Sequence, residues 1–276
     1  MWSQTVAAPA SLRLKSCRTI LAIVKAVDLN SDMGESYSIY RIGDDASLIK
    51  YITSANLACG FHGGDPSVTS EAIRLCRENG LAMGAHPSFP DLQGFGRREM
   101  ELPARDLLNL LLYQVGALEG LASAQGGDVF HLKAHGALYN MACKRDDYAR
   151  AIAECALEMK KVLIAPGSSA MQKAADSVGV RFAAEGFADR RYQSDGTLTS
   201  RGKPGALLTN PQEAAEQALR IVDGSPIKTV DGGTVRVRGI TLCVHSDTPG
   251  AAEIARAVRR ALESGGVQVK TLREIL

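Results

Sequence analysis

Val129-Phe130-His131-Leu132-Lys133-Ala134-His135 alternates, residue by residue, between apolar and ionisable side chains. Side chains of a strand point in turn to its two faces, so Phe130, Leu132 and Ala134 share one face and His131, Lys133 and His135 the other. The same division recurs in both directions along the chain. Asp28 and Asn30 oppose Val27 and Leu29, and Leu81, Met83 and Ala85 oppose Ala82, Gly84 and His86. Leu242 and Val244 oppose Thr241, Cys243 and His245, Asn56 shares its face with Ala58, and Glu185 shares its face with Ala183. Each such strand has one large apolar face and one small or polar face that ends in an ionisable or amide group. In a barrel of parallel strands the apolar face meets the surrounding helices and the other lines the interior, so the polar strand ends converge on one cavity.

Seven strands are expected, at 24–30, 55–59, 81–86, 129–135, 162–165, 180–185 and 240–245. Helix-length stretches separate most of them, which is the pattern of βα units and a parallel sheet. Asp65-Pro66 and Asn210-Pro211 each place an N-cap residue before a proline at the first helical position. Val68, Ala72, Leu75 and Cys76 fall at helical spacing over 66–79, before Gly80. The stretch 102–121 is strongly apolar, as befits a helix on a barrel wall, and Thr248-Pro249 opens a helix running to about Ser264. Residues 229–239 read as a hairpin around Asp231-Gly232-Gly233.

The composition narrows the function. A net charge of +2 and 5% aromatic residues give no reason to expect a nucleic acid or an anionic membrane as partner. At 276 residues the chain suits one α/β barrel, taken here as a single domain over 27–276. No apolar run approaches the ~20 residues of a membrane span. Residues 1–26 hold Arg13, Lys15, Arg18 and Lys25 and no acid, faintly like an organellar transit peptide, and are expected to be a disordered extension. The six cysteines are scattered without a C-x-x-C, as in a cytoplasmic protein with reduced thiols.

Four of the five histidines, His62, His86, His135 and His245, stand at or just after the end of an apolar run. One strand-end histidine is more often a satisfied structural residue than a ligand. Four, with Asp28, Asn30, Asn56, Lys133 and Glu185 at other strand ends, point to a site. The loop Asp28-Leu-Asn30-Ser-Asp32-Met-Gly34-Glu35 adds carboxylates, and Gly94-Phe-Gly96-Arg97-Arg98 could hold an anion. A Cys59–His62 nucleophile pair is disfavoured because residues three apart on one loop rarely reach that geometry. A metal held by Asp and His is chemically reasonable, though no diagnostic spacing such as H-E-x-x-H exists. Neither G-x-x-x-x-G-K-[ST] nor a strand followed by G-x-G-x-x-G is present, so no motif announces a nucleotide site.

At these residues the chain resembles the LamB/YcsF family of lactam-utilisation proteins. The blocks that carry the resemblance are Asp28 to Glu35, Ser54 to Pro66, Gly84 to Asp91 and Gly94 to Arg98, then His135 to Asn140, Glu185 to Arg190, Arg201 to Ala206 and Cys243 to Gly250. They run in order from Val27 to about Val269. The family usually has His-Ala-Gly-Asp where this chain has Gly63, Lys-Pro-His-Gly where it has Ala134, and His-Gly-Asp where it has Ser246. None of these departures removes an ionisable group.

The resemblance implies a seven-stranded (β/α) TIM-like barrel of the glycoside hydrolase/deacetylase type. It also implies the A subunit of an ATP-dependent 5-oxoprolinase, which with subunits B and C opens the lactam of 5-oxo-L-proline to L-glutamate. ATP, with Mg, would be handled mainly by the partner subunits, and whether a metal binds this chain is left open. A five-membered lactam is a stable amide, and phosphorylating its oxygen would create both a leaving group and an electrophilic carbon. The site must then supply proton transfer, donors for developing negative charge and a cation for the substrate carboxylate. Proton transfer is assigned to His62, His86, His135 or His245 with Glu185 or Asp28, the oxyanion or phosphate to Lys133, and the carboxylate to Arg98 or Arg190, with Asn30 and Asn56 as further substrate contacts. Two rivals are a stand-alone metal-dependent amidase or deacetylase and a non-catalytic partner subunit. The ionisable interior speaks against the second, because a scaffold has no use for one.

Overall fold

The computed structural model describes residues 26–276. The expected disordered extension therefore lies outside the described residues except for Ala26, which begins the first strand.

The strands are β1 (Ala26–Met33), β2 (Ser54–Ala58), β3 (Ala82–His86), β4 (Val129–Leu132), β5 (Val162–Pro166), β6 (Phe182–Phe187), a hairpin of β7 (Pro226–Lys228) and β8 (Thr234–Arg236), then β9 (Thr241–Cys243) and β10 (Gln268–Val269). β1 to β6 pair in sequence, all parallel; β9 pairs with both β6 and β1, closing a seven-stranded barrel. β10 extends the start of β1, and β7–β8 form a separate antiparallel ribbon that begins earlier than the expected hairpin.

The helices are α1 (Asp45–Leu48), α2 (Pro66–Glu78), α3 (Ala104–Ala124), α4 (Gly136–Ala142), α5 (Asp146–Glu158), α6 (Ala170–Val178), α7 (Pro211–Asp223), α8 (Ala251–Ser264) and α9 (Leu272–Ile275). Asp65 and Asn210 accept hydrogen bonds from the first-turn N–H groups of α2 and α7, as their Asx-Pro sequences require. The outer strand faces, including Leu29, Leu57, Met83, Leu132, Leu163 and Leu242, form one apolar core with residues of these helices such as Ile73, Leu111, Ile152, Ile221 and Val258.

Three expectations change. First, β1 continues to Met33, so Asp32 joins Asp28 and Asn30 on the interior face. Second, the interior wall at β5 is apolar: Val162 and Ile164 pack with Ala183 and with Leu272 of α9, which plugs this part of the barrel. Third, α3 is, among the described residues, one helix long and apolar enough to cross a membrane by length and composition. It is amphipathic in place: Leu107, Leu111, Val115, Leu118 and Ala122 are buried, whereas Asn109, Tyr113 and Gly116 are exposed.

β4 stops at Leu132, yet the alternation read from sequence persists to His135. The Lys133 N–H donates to the Ala85 carbonyl and the His135 N–H to the Pro87 carbonyl, both at 2.9 Å, so the chain stays extended until α4. Register then stacks the interior side chains. Asp32 pairs with Asn56, Asn56 with Gly84, and Gly84 with His131.

Candidate active site

The lowest polar layer of the barrel centres on Asp28, which is fully buried. Its carboxylate accepts hydrogen bonds from Thr53 at 2.8 Å and from Ser54 and Thr241. Above it, the Asn30 amide donates to Glu185 at 3.1 Å and to Thr241 at 2.7 Å. The Asn56 amide donates to Asn30 and Asp32, both at 2.8 Å, and its carbonyl oxygen accepts from His131 Nε2 at 2.8 Å. His131 is thereby held as the neutral Nε2–H form, and burial followed by the Lys133 charge pushes it down to about 3. This layer supports the site without lining the cavity above it, which corrects the expectation that Asp28, Asn30 and Asn56 meet substrate.

Burial also raises the Asp28 carboxyl to about 6, against 3.8 ordinarily. The fold thus keeps a proton that an unfolded Asp has lost above about pH 4, and this group makes stability fall as pH rises from about 4 to about 6. Asp28→Asn is expected to remove that dependence, changing the difference between unfolding free energies at the two ends of the window by about 3 kcal/mol. Urea unfolding of both proteins across that range checks it; superimposable pH profiles would contradict the assignment.

The next layer is ionic. Lys133 Nζ lies 2.8 Å from Glu185 Oε1, 3.1 Å from Asp32 Oδ1, 3.2 Å from Asn30 Oδ1 and 3.1 Å from Cys243 Sγ. Burial opposes its charge, but Asp32, Cys243 and Glu185 outweigh that and hold the ammonium well above its usual range. Burial likewise opposes ionisation of Asp32, and His86 and Lys133 overcome it and keep the carboxylate ionised. Tyr139 donates its hydroxyl to Glu185 Oε2 at 2.7 Å.

At the strand ends the groups split into two clusters. On one side, the ring of His62 lies flat on that of His135, with centroids 3.8 Å apart, and His86 meets both edge-on. Glu35 Oε1 is 3.1 Å from His62 Nε2 and 3.3 Å from His135 Nδ1. These four residues are spaced as metal ligands are. Burial, reinforced by Asp32, raises the Glu35 carboxyl to about 7. On the other side, His245 Nδ1 is 3.0 Å from Asp189, whose carboxylate also accepts from the His245 N–H and the Thr248 hydroxyl. That bond assigns the proton to Nδ1 and leaves Nε2 as the basic nitrogen. Burial opposes the Asp189 charge, yet His245 and these donors bring it down to about 2.

Asp32, Glu35, His86, Lys133, His135, Glu185 and His245 line a cavity of about 1210 Å³ together with Tyr139, Arg190 and Arg201. His62 does not line it but sits behind His135. Arg190 is buried; it donates to the Thr199 carbonyl at 2.6 Å and its Nε has no partner. Burial and then the Arg201 charge weaken its hold on the proton. Arg201 and Arg97 grip Asp247 at the rim. Arg98 is a correction: its exposed guanidinium pairs with Asp91 and lies outside the cavity, so of the two arginines proposed for a carboxylate only Arg190 is within reach.

Sequence reasoning counted Asp32 and Glu35 only as loop carboxylates without a role and passed over Tyr139, Asp189, Arg201 and Asp247. All six lie inside the quoted blocks, and Asp32 would have followed from strand parity had β1 been extended by two residues. Cys59 is a poor nucleophile as expected, since burial pushes its thiol up to about 12 and Sγ turns to the Leu57 carbonyl. Cys59→Ala is expected to keep most of any turnover that the cavity supports, and complete loss with unchanged melting would refute this.

A closed parallel barrel with ionisable groups gathered at the carboxyl ends of its strands defines the class: a (β/α) barrel whose cavity is built as barrel enzymes build theirs. Residues 27–276 match the LamB/YcsF family, and the chain belongs to it. It is 47% identical to the A subunit of 5-oxoprolinase from Bordetella parapertussis, over 89% of this chain and 98% of that one. It is 45% identical to the protein of the same name from Pyrococcus horikoshii, over 91% and 99% respectively. The crystal structure of a lactam utilization protein from Thermus thermophilus superposes with a TM-score of 0.84 at 45% identity, covering 90% of this chain and all of that one.

Proposed function

We propose that this chain is the A subunit of an ATP-dependent 5-oxoprolinase, a cytoplasmic hydrolase that opens the lactam of 5-oxo-L-proline to L-glutamate together with subunits B and C. The observation that carries the reading is the placement of Lys133 between Asp32 and Glu185 at the floor of the cavity, with the His245–Asp189 pair also on its lining. A buried, fixed ammonium is a preorganised donor for negative charge developing on an amide or phosphoryl oxygen. His245, oriented by Asp189 with Nε2 free, is placed to take a proton from water. Arg190, with an unsatisfied Nε, is the cation for the substrate carboxylate. The names of the relatives support both the substrate and the existence of partner subunits. Activation by ATP and Mg is assigned mainly to those partners, because the chain has no phosphate-cradling motif.

The test is an assay of the purified chain with 5-oxoproline and ATP, with and without subunits B and C. Alone it is expected neither to hydrolyse ATP nor to consume 5-oxoproline; both activities should appear in the mixture. Robust 5-oxoproline consumption by the isolated chain would overturn the division of labour. A second reading, an amidase or deacetylase that uses a metal and no ATP, is favoured by the Glu35 and histidine cluster. It requires amide cleavage by this chain alone, which the same assay reads.

A further inference from the structure

The segment that carries Asp189 and Arg190 leaves the sheet at the end of β6. Ala188 makes a last ladder bond, its N–H donating to the Cys243 carbonyl at 3.0 Å. Phe187 to Arg190 nevertheless stay buried, with exposures of 0–7%. Buried backbone carbonyls need donors, and here one side chain serves two of them. Gln217 Nε2 donates to the Phe187 carbonyl at 2.8 Å and to the Arg190 carbonyl at 2.7 Å. A carbonyl only accepts, so the amide nitrogen is the atom that faces them. Gln217 is the one polar residue on the buried face of α7, among Ala214, Ala215, Ala218, Ile221 and Val222. Burying an amide is costly unless its hydrogen bonds are made, so an apolar side chain would serve packing better. The amide is explained by what it holds.

It holds the turn between its two acceptors. Asp189 lies inside that turn, and its carboxylate accepts from the His245 ring and the His245 N–H, both at 3.0 Å, and from the Thr248 hydroxyl at 2.7 Å. Arg190 stands at the far end of the turn and lines the cavity, whereas Gln217 does not. Tying the Phe187 and Arg190 carbonyls to one nitrogen fixes the span of the turn and with it the direction in which Asp189 points. Across the barrel, at β3, the same device recurs. Gln114 of α3 is fully buried; its Oε1 accepts from the Ser88 N–H and its Nε2 donates to the Ser88 carbonyl, both at 2.9 Å. Ser88 lies two residues beyond His86.

We propose that Gln217 is a positioning residue, which sets the Asp189–His245 pair and Arg190 against the cavity, and that Gln114 is its counterpart for the loop that follows His86. Neither touches substrate; each transmits the rigidity of the helix layer to a strand end. Support of this kind is what holds reacting groups within the narrow range of geometry that catalysis needs. The effect on turnover rests on the proposed function, whereas the positioning itself does not.

The test uses the full-length chain labelled with ¹⁵N and the variants Gln217→Met, Gln217→Asn and Gln114→Met. Methionine keeps the length and removes the donor. Asparagine keeps the donor but is too short to reach both carbonyls, and it keeps the test readable should the methionine variant fail to fold. The proton on His245 Nδ1, held against Asp189, is followed in ¹H–¹⁵N spectra. Both Gln217 variants should shift this signal or lose it to exchange with water. The proton on His86 Nδ1, donated to the Lys133 carbonyl at 2.7 Å, should stay where it is. Gln114→Met should do the reverse. An unchanged His245 signal in Gln217→Met would overturn the positioning role. So would equal disturbance of both histidines by either glutamine, which is the mark of general loosening. In the complex with subunits B and C, a misplaced Asp189–His245 pair should lower kcat for glutamate formation about 10²-fold, and a misplaced Arg190 should raise KM. Spectra that change as expected with kcat and KM unaltered would overturn its bearing on catalysis. If the wild-type complex does not consume 5-oxoproline while the spectra change as expected, the anchor stands and the proposed reaction falls.

Discussion

Lys133→Met is expected to lower stability by about 3–5 kcal/mol and, on the proposed function, to cut lactam opening in the complex with subunits B and C. The side chain is 3% exposed and its ammonium contacts the carboxylates of Asp32 and Glu185. Methionine has nearly the same shape, so little packing is lost; what remains is two buried carboxylates without their cation. Breaking a buried ion pair from one side costs more than the pair contributes, because the stranded charge keeps its desolvation penalty. A double variant, Lys133→Met with Glu185→Gln, removes one stranded charge and should recover part of the loss. Urea midpoints of the three proteins measure this, and a single-variant loss below about 1 kcal/mol would mean that water reaches the pair. On the proposed function, the loss of the fixed donor should cost at least about 10²-fold in glutamate formation by the complex. Normal turnover in a folded Lys133→Met protein would remove Lys133 from the mechanism.

Gly84→Ala should be nearly as damaging to folding, although it adds one methyl group. Gly84 points into the barrel opposite His131, and a Cβ there would fall 2.0 Å from the imidazole. The ring cannot yield without giving up its bond to Asn56, which ties together Asn30 and Asp32. Overpacking and a lost buried hydrogen bond together are expected to cost about 3 kcal/mol or more. Gly116→Ala in α3 is the control: nothing lies within 4 Å of its Cβ position. There the substitution removes a flexible residue from a helix and should stabilise by up to ~1 kcal/mol. Thermal melts of the pair test the claim, and similar melting temperatures would show that the barrel interior has room it does not have here.

Much of the fold was legible because the strands alternate so regularly. Val129 to His135 reads as a strand with an ionisable face, and the two N–H groups that extend pairing past Leu132 keep that face intact up to α4. β1 was less legible. Asn30-Ser31-Asp32 looks like loop sequence, and only the ladder to β2 makes it strand, since β propensity yields to pairing and burial. β5 shows the opposite limit: its apolar residues point both inward and outward, so periodicity could not sort its faces.

The sequence by itself determined the order of the βα units, the helix starts at Asp65-Pro66 and Asn210-Pro211, and the interior face of most strands. These depend on neighbours within a few residues: a cap, a proline ring, a two-residue period. It also marked His86, Lys133, His135, Glu185 and His245, which do share one cavity. Only the tertiary structure decided depth and partnership. Asp28 and Lys133 have the same strand-face signature, yet one is sealed beneath the network while the other meets the cavity, because depth depends on register around the closed barrel. Arg98 and Arg190 both sit in loops, and no local signal says that Asp91 claims the first while burial leaves the second with a free nitrogen. Glu35 meets His62, His86 and His135 across as many as 100 residues of chain for the same reason: barrel closure, not local sequence, brings the strand ends together.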